Sequence, residues 1–193
     1  MAMKNHLIRE NPFDFRLNDV LTNDTVKREA LTDEQVAALL DFIAHDNTYS
    51  QHLDWFIVLL ETGVRMSEFC GLTKADLDFE NRLIVINKQL LRRKDGSKYV
   101  KAPKSAAGNR VIAMSDEASN SLHNILEHRK CRTVEPMIDG YCGFLMLTKG
   151  DKPVVATGLG AIMRRVVDKY NREHSDNPLP PITPHIFRTY AVQ

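Results

Sequence analysis

The 193-residue sequence has few cysteines and no long apolar run. Its three cysteines, Cys70, Cys131 and Cys142, are an odd number without C-x-x-C spacing, so neither a disulfide framework nor a zinc ribbon is predicted. No stretch approaches the roughly 18 apolar residues of a membrane span, and the first ten residues lack the apolar segment of a secretory signal. These absences argue against membrane and disulfide-rich secreted proteins, and they predict a cytoplasmic protein with reduced thiols.

Net charge is also small, +1 in total, but the charges are distributed unevenly along the chain. Residues 1–87 carry a net charge of −7, whereas residues 88–110 carry +7 with only Asp95 against eight basic residues. Those eight are Lys88, Arg92, Arg93, Lys94, Lys98, Lys101, Lys104 and Arg110. A local positive field of this kind attracts polyanions, because each neutralised phosphate releases condensed counterions. The alternative interpretation is a solvated basic hairpin without a partner.

Local patterns predict several helices. Thr32 and Gln35 have capping-box spacing and Leu31 can pack on Val36, so a helix is predicted to begin at this point. Residues 51–61 are apolar nearly all round, which predicts a buried central helix that ends at Gly63. Further helices are predicted over Arg65–Leu72, after Ser115, over Thr157–Tyr170, and after Thr183-Pro184, where His185 and Arg188 lie in the opening turns.

Turn signals divide the basic segment into strands. Asp95-Gly96 and Ala107-Gly108-Asn109 are typical of hairpins and separate three short runs. These runs, residues 90–93, 98–101 and 110–113, are predicted to form one small three-stranded antiparallel sheet, preceded by a further strand over 83–86. The resulting fold class is α+β, mainly α-helical, with one domain over residues 31–193 and a linker or entry arm over residues 1–30.

Three polar clusters could carry chemistry. They are Arg65 with Glu68, the Pro103-Lys104-Ser105 segment, and His185 with Arg188. Each alone is explained by surface ion pairs or solvated side chains. Together they suit a phosphodiester: two guanidiniums can clamp the non-bridging oxygens, a lysine whose pKa is lowered by nearby cations can protonate a leaving oxygen, and a histidine can add a hydrogen bond or proton. Such a site requires no metal.

These clusters lie within longer motifs. T-G-V-R-M-S-E-F-C-G-L-T-K-A-D-L-D-F spans residues 62–79, P-K-S-A-A-G-N-R-V-I-A-M spans 103–114, and I-T-P-H-I-F-R spans 182–188. Through them, most of the chain resembles the catalytic domain of the tyrosine recombinases, the phage and conjugative-transposon integrase family. The resemblance implies the DNA breaking-rejoining enzyme fold.

The resemblance also implies roles for particular residues. Arg65 and Arg188 would be the two catalytic arginines, His185 the catalytic histidine, and Glu68 an acidic residue that supports the site by holding a neighbouring cation or backbone group. Lys104 would be the general acid, with Lys101 as the alternative. In the family, a tyrosine attacks the scissile phosphate and forms a 3′-phosphotyrosyl bond, which a 5′-hydroxyl later reverses without ATP, metal or another cofactor.

Two departures from the family pattern bear on activity. Thr189 follows Arg188 where the family usually has a histidine, and the nucleophilic tyrosine is not expected within this chain. Tyr190 is interpreted as a core-facing aromatic residue. The chain is therefore expected to be a fragment, which on its own binds DNA weakly and cuts nothing.

The implied partner is double-stranded DNA at attachment sites, where a mobile element is inserted or excised. A homo-oligomer on DNA, tetrameric in the full-length protein, is expected, along with accessory DNA-bending or directionality factors and no membrane association. The predicted DNA-binding residues are Arg92, Arg93, Lys94, Lys98, Lys101 and Arg110.

Three other functions compete with this interpretation. One is a catalytically silent DNA-binding or regulatory protein that retains the recombinase fold. Another is a type IB topoisomerase, which the linker and motif spacing do not support. A metal site built on His123, His128 and Cys131 is disfavoured, because Arg129 and Lys130 would repel a cation.

Overall fold

A computed structural model describes residues 31–103, 108–131, 134–183, 186, 187 and 190. Five α-helices and five short strands have defined bounds in this part of the chain, and Ile186, Phe187 and Tyr190 are also helical. The helices are α1 Asp33–His45, α2 Leu53–Thr62, α3 Met66–Gly71, α4 Asp116–His128 and α5 Ala156–Glu173. The strands are β1 Leu77–Asp78, β2 Leu83–Ile86, β3 Gln89–Arg92, β4 Lys98–Lys101 and β5 Arg110–Ala113.

The predicted helix boundaries are set by local hydrogen bonds. The Gln35 backbone N–H donates to the Thr32 hydroxyl at 3.2 Å, and the Gln35 side chain accepts from the Thr32 backbone at 3.1 Å, which confirms the capping box of α1. Ser115 caps α4 by accepting from the Ala118 backbone at 3.1 Å. Helix α2 ends at Gly63, whose φ of 57° is the left-handed conformation that glycine adopts without steric cost.

Helix α2 forms the centre of the hydrophobic core, as its composition predicts. Phe56, Val58 and Leu59 are each no more than 2% exposed. The helix packs against α1 and α4, and α5 contributes its buried stripe, including Leu159 and Val166, to the same core. The chain segment that follows α2 therefore starts from a fixed position, which matters because Arg65 lies three residues beyond its end.

The strands pair differently from the prediction. A small three-stranded antiparallel sheet is present, but its order is β1-β2-β5, and β3 and β4 form a separate two-stranded hairpin. The expectation that residues 90–93, 98–101 and 110–113 share one sheet was wrong. The reason is apolar pairing: Ile112 of β5 lies opposite Ile84 of β2, where both contact the core. The α+β fold class is confirmed.

Several predictions concern residues outside the described part of the chain. The linker over residues 1–30 lies outside the described residues, as do Pro184, His185 and Arg188 of the predicted last helix. In the part of the chain that the structure describes, no helix has the length and apolar character needed to cross a bilayer.

Candidate active site

Arg65 lies at the start of α3, two residues after the turn at Gly63. Its backbone N–H donates to Glu68 Oε2 at 3.0 Å, and its guanidinium Nη1 donates to Glu68 Oε1 at 2.7 Å. The backbone and the side chain of Arg65 are thus both fixed by a carboxylate one helical turn away. The Arg65 side chain remains 54% exposed, so its guanidinium can contact an external anion.

Glu68 is nearly buried, with 5% of its side chain exposed, and it also binds Arg110. The Arg110 Nη2 donates to Glu68 Oε2 at 2.7 Å and Nη1 donates to Oε1 at 3.2 Å, which is the bidentate geometry of a strong arginine–carboxylate pair. Burial acts to raise the pKa of the Glu68 carboxyl, but the hydrogen bonds from Arg110 and Arg65 outweigh it and hold that pKa below its ordinary value. Glu68 is therefore an anion that holds two cations.

The β3–β4 hairpin carries five of the six residues predicted to bind DNA. Arg92 of β3 lies opposite Lys98 of β4, and the Arg93 guanidinium stacks on the Tyr99 ring at 4.6 Å from its centroid. Among the described residues, none of the five forms an ion pair with a carboxylate. The five are Arg92, Arg93, Lys94, Lys98 and Lys101, and all but Lys98 are exposed.

Lys98 joins the hairpin to a distant loop. Its ammonium donates to the Pro153 carbonyl at 2.6 Å. Burial, followed by the nearby charges of Lys152 and Arg92, lowers the pKa of Lys98. Lys152 was not predicted to lie near these cations, since it follows Lys98 by 54 residues in a segment of balanced charge. Only the fold brings Lys152 and Lys98 together.

Two of the eight basic residues in the +7 segment form ion pairs with carboxylates of the protein. Lys88 is 4% exposed and pairs with Asp76, and Arg110 pairs with Glu68. The other described members of the segment are the five hairpin residues. The positive field predicted from the sequence is therefore concentrated on the hairpin, whereas the charge of Arg110 is paired with Glu68.

Three predicted catalytic residues, Lys104, His185 and Arg188, lie outside the described residues, but their neighbours are described. Pro103 and Gly108, which flank the loop of Lys104, are in close contact: a Cβ on Gly108 would lie 2.2 Å from the Pro103 Cβ. Ile186 and Phe187, between His185 and Arg188, are buried in the core, where the Phe187 ring packs edge-on against Phe56. The lowered pKa expected for Lys104 remains a prediction.

Tyr190 packs against the core, in agreement with its interpretation as a core-facing aromatic residue. Its hydroxyl donates to the Asp33 carboxylate at 3.0 Å. Burial, followed by the hydrogen bond and charge of Asp33, raises the pKa of the Tyr190 phenol. A phenol in this environment is harder to ionise than a free tyrosine, because burial and the adjacent Asp33 carboxylate both disfavour the phenolate.

The alternative metal site is not assembled in the described residues, where no group of three or more histidine, cysteine or carboxylate side chains could hold an ion. His123 and His128 instead place their Nδ1 atoms 2.9 Å and 2.8 Å from the carbonyl oxygens of Ser119 and Asn124 one turn earlier in α4.

The domain is helical with a small antiparallel sheet, and it combines an arginine fixed by a buried carboxylate with a hairpin whose described cations form no ion pair with a carboxylate. These features suit the binding of a phosphodiester. Residues 29–193 match the family model described as the phage integrase family. The chain belongs to this family and is a tyrosine recombinase catalytic domain.

Similar proteins support the same assignment. The chain is 45% identical to the transposase of transposon Tn916 from Enterococcus faecalis over 189 residues, which is 97% of this chain and 46% of that protein. It is 27% identical over 164 residues to the integrase of Staphylococcus phage L54a, covering 80% of this chain and 46% of that integrase. It therefore spans about half the length of the curated relatives it matches.

Solved structures agree on the fold. The Tn1549 transposon integrase in complex with a circular intermediate DNA superposes with a TM-score of 0.91 at 41% identity, covering 98% of this chain and 60% of that one. The XerA recombinase, at 19% identity and a TM-score of 0.61 over 88% of this chain and 50% of that one, shares the fold.

Proposed function

We propose that this chain forms the catalytic domain of a site-specific recombinase that cleaves and rejoins DNA to insert or excise a mobile element. The observation that carries the proposal is the geometry of Arg65. Its guanidinium is fixed at one nitrogen by Glu68 while half of the side chain faces solvent. A preorganised donor of this kind stabilises the charge that develops on a phosphate oxygen in the transition state.

The proposed reaction proceeds by covalent catalysis. The phenolate oxygen of a tyrosine outside this chain attacks the scissile phosphorus and forms a 3′-phosphotyrosyl bond. The bond from phosphorus to the 5′ oxygen breaks, and Lys104 protonates that oxygen. A 5′-hydroxyl from partner DNA then attacks the phosphotyrosyl bond and releases the tyrosine. Arg65 and Arg188 bind the non-bridging oxygens and His185 supplies a further hydrogen bond or proton, while no metal or other cofactor takes part.

The proposed partner is double-stranded DNA at the ends of the mobile element. Arg92, Arg93, Lys94, Lys98 and Lys101 contact backbone phosphates, which is supported by their lack of carboxylate partners among the described residues. In this proposal residues 31–193 are the catalytic domain and residues 1–30 a linker. The complete protein acts in the cytoplasm as a tetramer on DNA, with accessory bending or directionality factors.

The experiment uses the complete recombinase, including the segment with the nucleophilic tyrosine, and a nicked attachment-site duplex that traps the covalent intermediate. The wild-type protein should form a protein–DNA adduct on a denaturing gel. Arg65→Ala should slow adduct formation on the order of 10²–10³-fold, the usual effect of removing one preorganised donor. Arg82→Ala is the matched control, because Arg82 forms an exposed ion pair with Asp116 and directly precedes β2, whose opposite end pairs with Arg110. The rate of this variant should equal that of wild type. Adduct formation by Arg65→Ala within twofold of the wild-type rate would refute the proposal.

A further inference from the structure

The Glu68 carboxylate is shared by two arginines that are 45 positions apart in the sequence. Arg110 occupies both carboxylate oxygens through its two terminal nitrogens, at 2.7 Å and 3.2 Å. Arg65 reaches the same carboxylate with one guanidinium nitrogen and its backbone N–H. Since Arg110 fills the bidentate position, the Arg65 guanidinium is held at one point and its exposed part is left for another anion.

Arg110 is also tied to the base of the loop that contains Lys104. It is the first residue of β5 and lies opposite Ile86 of β2 in the sheet. Its Nη1 lies 3.5 Å from the carbonyl oxygen of Gly108, which packs directly on Pro103. The two described ends of the loop are therefore in contact with each other, and Arg110 links them to Glu68.

We propose that Arg110 is a positioning residue that acts through Glu68 and keeps the Arg65 guanidinium facing the scissile phosphate. Arg110 itself does not contact DNA. This role rests on the proposed recombinase function and replaces the assignment of Arg110 to the DNA-binding residues. Without Arg110, the buried carboxylate would lack its bidentate partner, and Arg65 would turn inward to form the paired contact itself. The guanidinium would then be withdrawn from the phosphate.

The test is a double-mutant cycle in the complete recombinase, with the nicked attachment-site duplex as substrate. Arg110→Gln should slow adduct formation on the order of 10-fold to 10²-fold, since small displacements of a catalytic group have effects of this size. In the Arg65→Ala background, the same substitution should change the rate less than twofold, because there is no guanidinium left to position. A merely structural role would reduce the rate in both backgrounds.

DNA binding supplies the second readout. In the Arg65→Ala background, Arg110→Gln should not change the slope of log K against log salt concentration, where K is the association constant for DNA. A direct phosphate contact by Arg110 would make that slope shallower by about 0.9 in either background, and this result would overturn the proposal. Arg110→Lys, which retains the charge and one donor to Glu68, should restore part of the adduct rate.

Arg82→Gln is the matched control for loss of an arginine–carboxylate pair, and its adduct rate should equal that of wild type. Thermal melting establishes that each variant is folded. If Arg110→Gln is unfolded, Arg110→Lys replaces it, and its adduct rates are compared in the wild-type and Arg65→Ala backgrounds. Equal rates for wild type and Arg110→Gln, or equal losses in both Arg65 backgrounds, would refute the positioning role and leave the recombinase function standing. A wild-type protein that forms no adduct would refute the function and this role together.

Discussion

Lys88, the residue that precedes β3, forms a buried ion pair with Asp76. Lys88 is 4% exposed and Asp76 is 5% exposed. The Asp76 carboxylate also accepts hydrogen bonds of 2.7 Å from both the backbone and the hydroxyl of Thr73. The pair joins the turn after α3 to the β2–β3 connection, and it removes Lys88 from the set of cations available to DNA.

Because this pair is buried, removal of its anion should destabilise the domain. Asp76→Asn leaves the Lys88 ammonium in the core without a counter-charge, and we expect a loss of about 3 kcal/mol or more in the free energy of unfolding. Urea denaturation, monitored by circular dichroism, measures this free energy of unfolding. Asp95→Asn, at an exposed turn that bonds Ser97, is the matched control and should cost less than about 1 kcal/mol. Equal stability of the Asp76 and Asp95 variants would contradict the buried pairing.

The Glu68 carboxylate should stabilise the domain in a pH-dependent manner. Its pKa in the folded protein lies below the ordinary value of 4.5, so its contribution is present above that pH and is lost as pH falls through the folded pKa. At pH 7, Glu68→Gln should lower the free energy of unfolding by about 2 kcal/mol, the scale of hydrogen bonds to a charged group. The difference between wild type and variant should shrink below pH 4.5.

Urea denaturation at pH 7 and at acidic pH compares Glu68→Gln with Glu127→Gln, an exposed glutamate on α4. A stability difference for Glu68→Gln that stays constant across this pH range would mean that the charge of Glu68 is not what stabilises the domain.

The hairpin cations, which form no ion pair with a carboxylate among the described residues, should determine the salt dependence of DNA binding. Replacement of Arg92, Arg93 and Lys94 by glutamine should make the slope of log K against log salt concentration shallower by about 0.9 for each phosphate that the protein no longer neutralises. Fluorescence anisotropy with a labelled duplex at several salt concentrations measures this slope. Arg82→Gln, whose arginine is already paired with Asp116, should leave the slope unchanged. The hairpin assignment would be wrong if the triple variant had the wild-type slope.

The 193-residue chain alone should form no covalent adduct with a nicked duplex. All five of its tyrosines lie among the described residues. Three of them make specific contacts with other side chains. Tyr190 bonds Asp33 and has a raised pKa, Tyr170 stacks on His174, and Tyr99 packs under Arg93. A denaturing gel checks the prediction, and an adduct that disappears in Tyr190→Phe would identify Tyr190 as a nucleophile.

Much of the fold was predictable because it depends on short-range interactions. The capping box of Thr32 and Gln35 and the glycine end of α2 involve residues within one helical turn. The ion pair of Arg65 and Glu68 has the same short range, and the motif around it led to the correct family. The pairing of β5 was predicted wrongly, because turn signals locate strands but do not specify their partners.

The sequence by itself determined the helices, the family and the existence of a basic segment, since each depends on residue types at fixed spacing along the chain. Only the tertiary structure decided which basic residues remain available to DNA. Lys88 and Arg110 contribute to the +7 charge in the same way as their neighbours, yet the fold pairs them with Asp76 and Glu68, which lie 12 and 42 positions away. A charge counted along the sequence is neutralised by contacts in space, and those contacts form only when α3, the hairpin and β5 pack together.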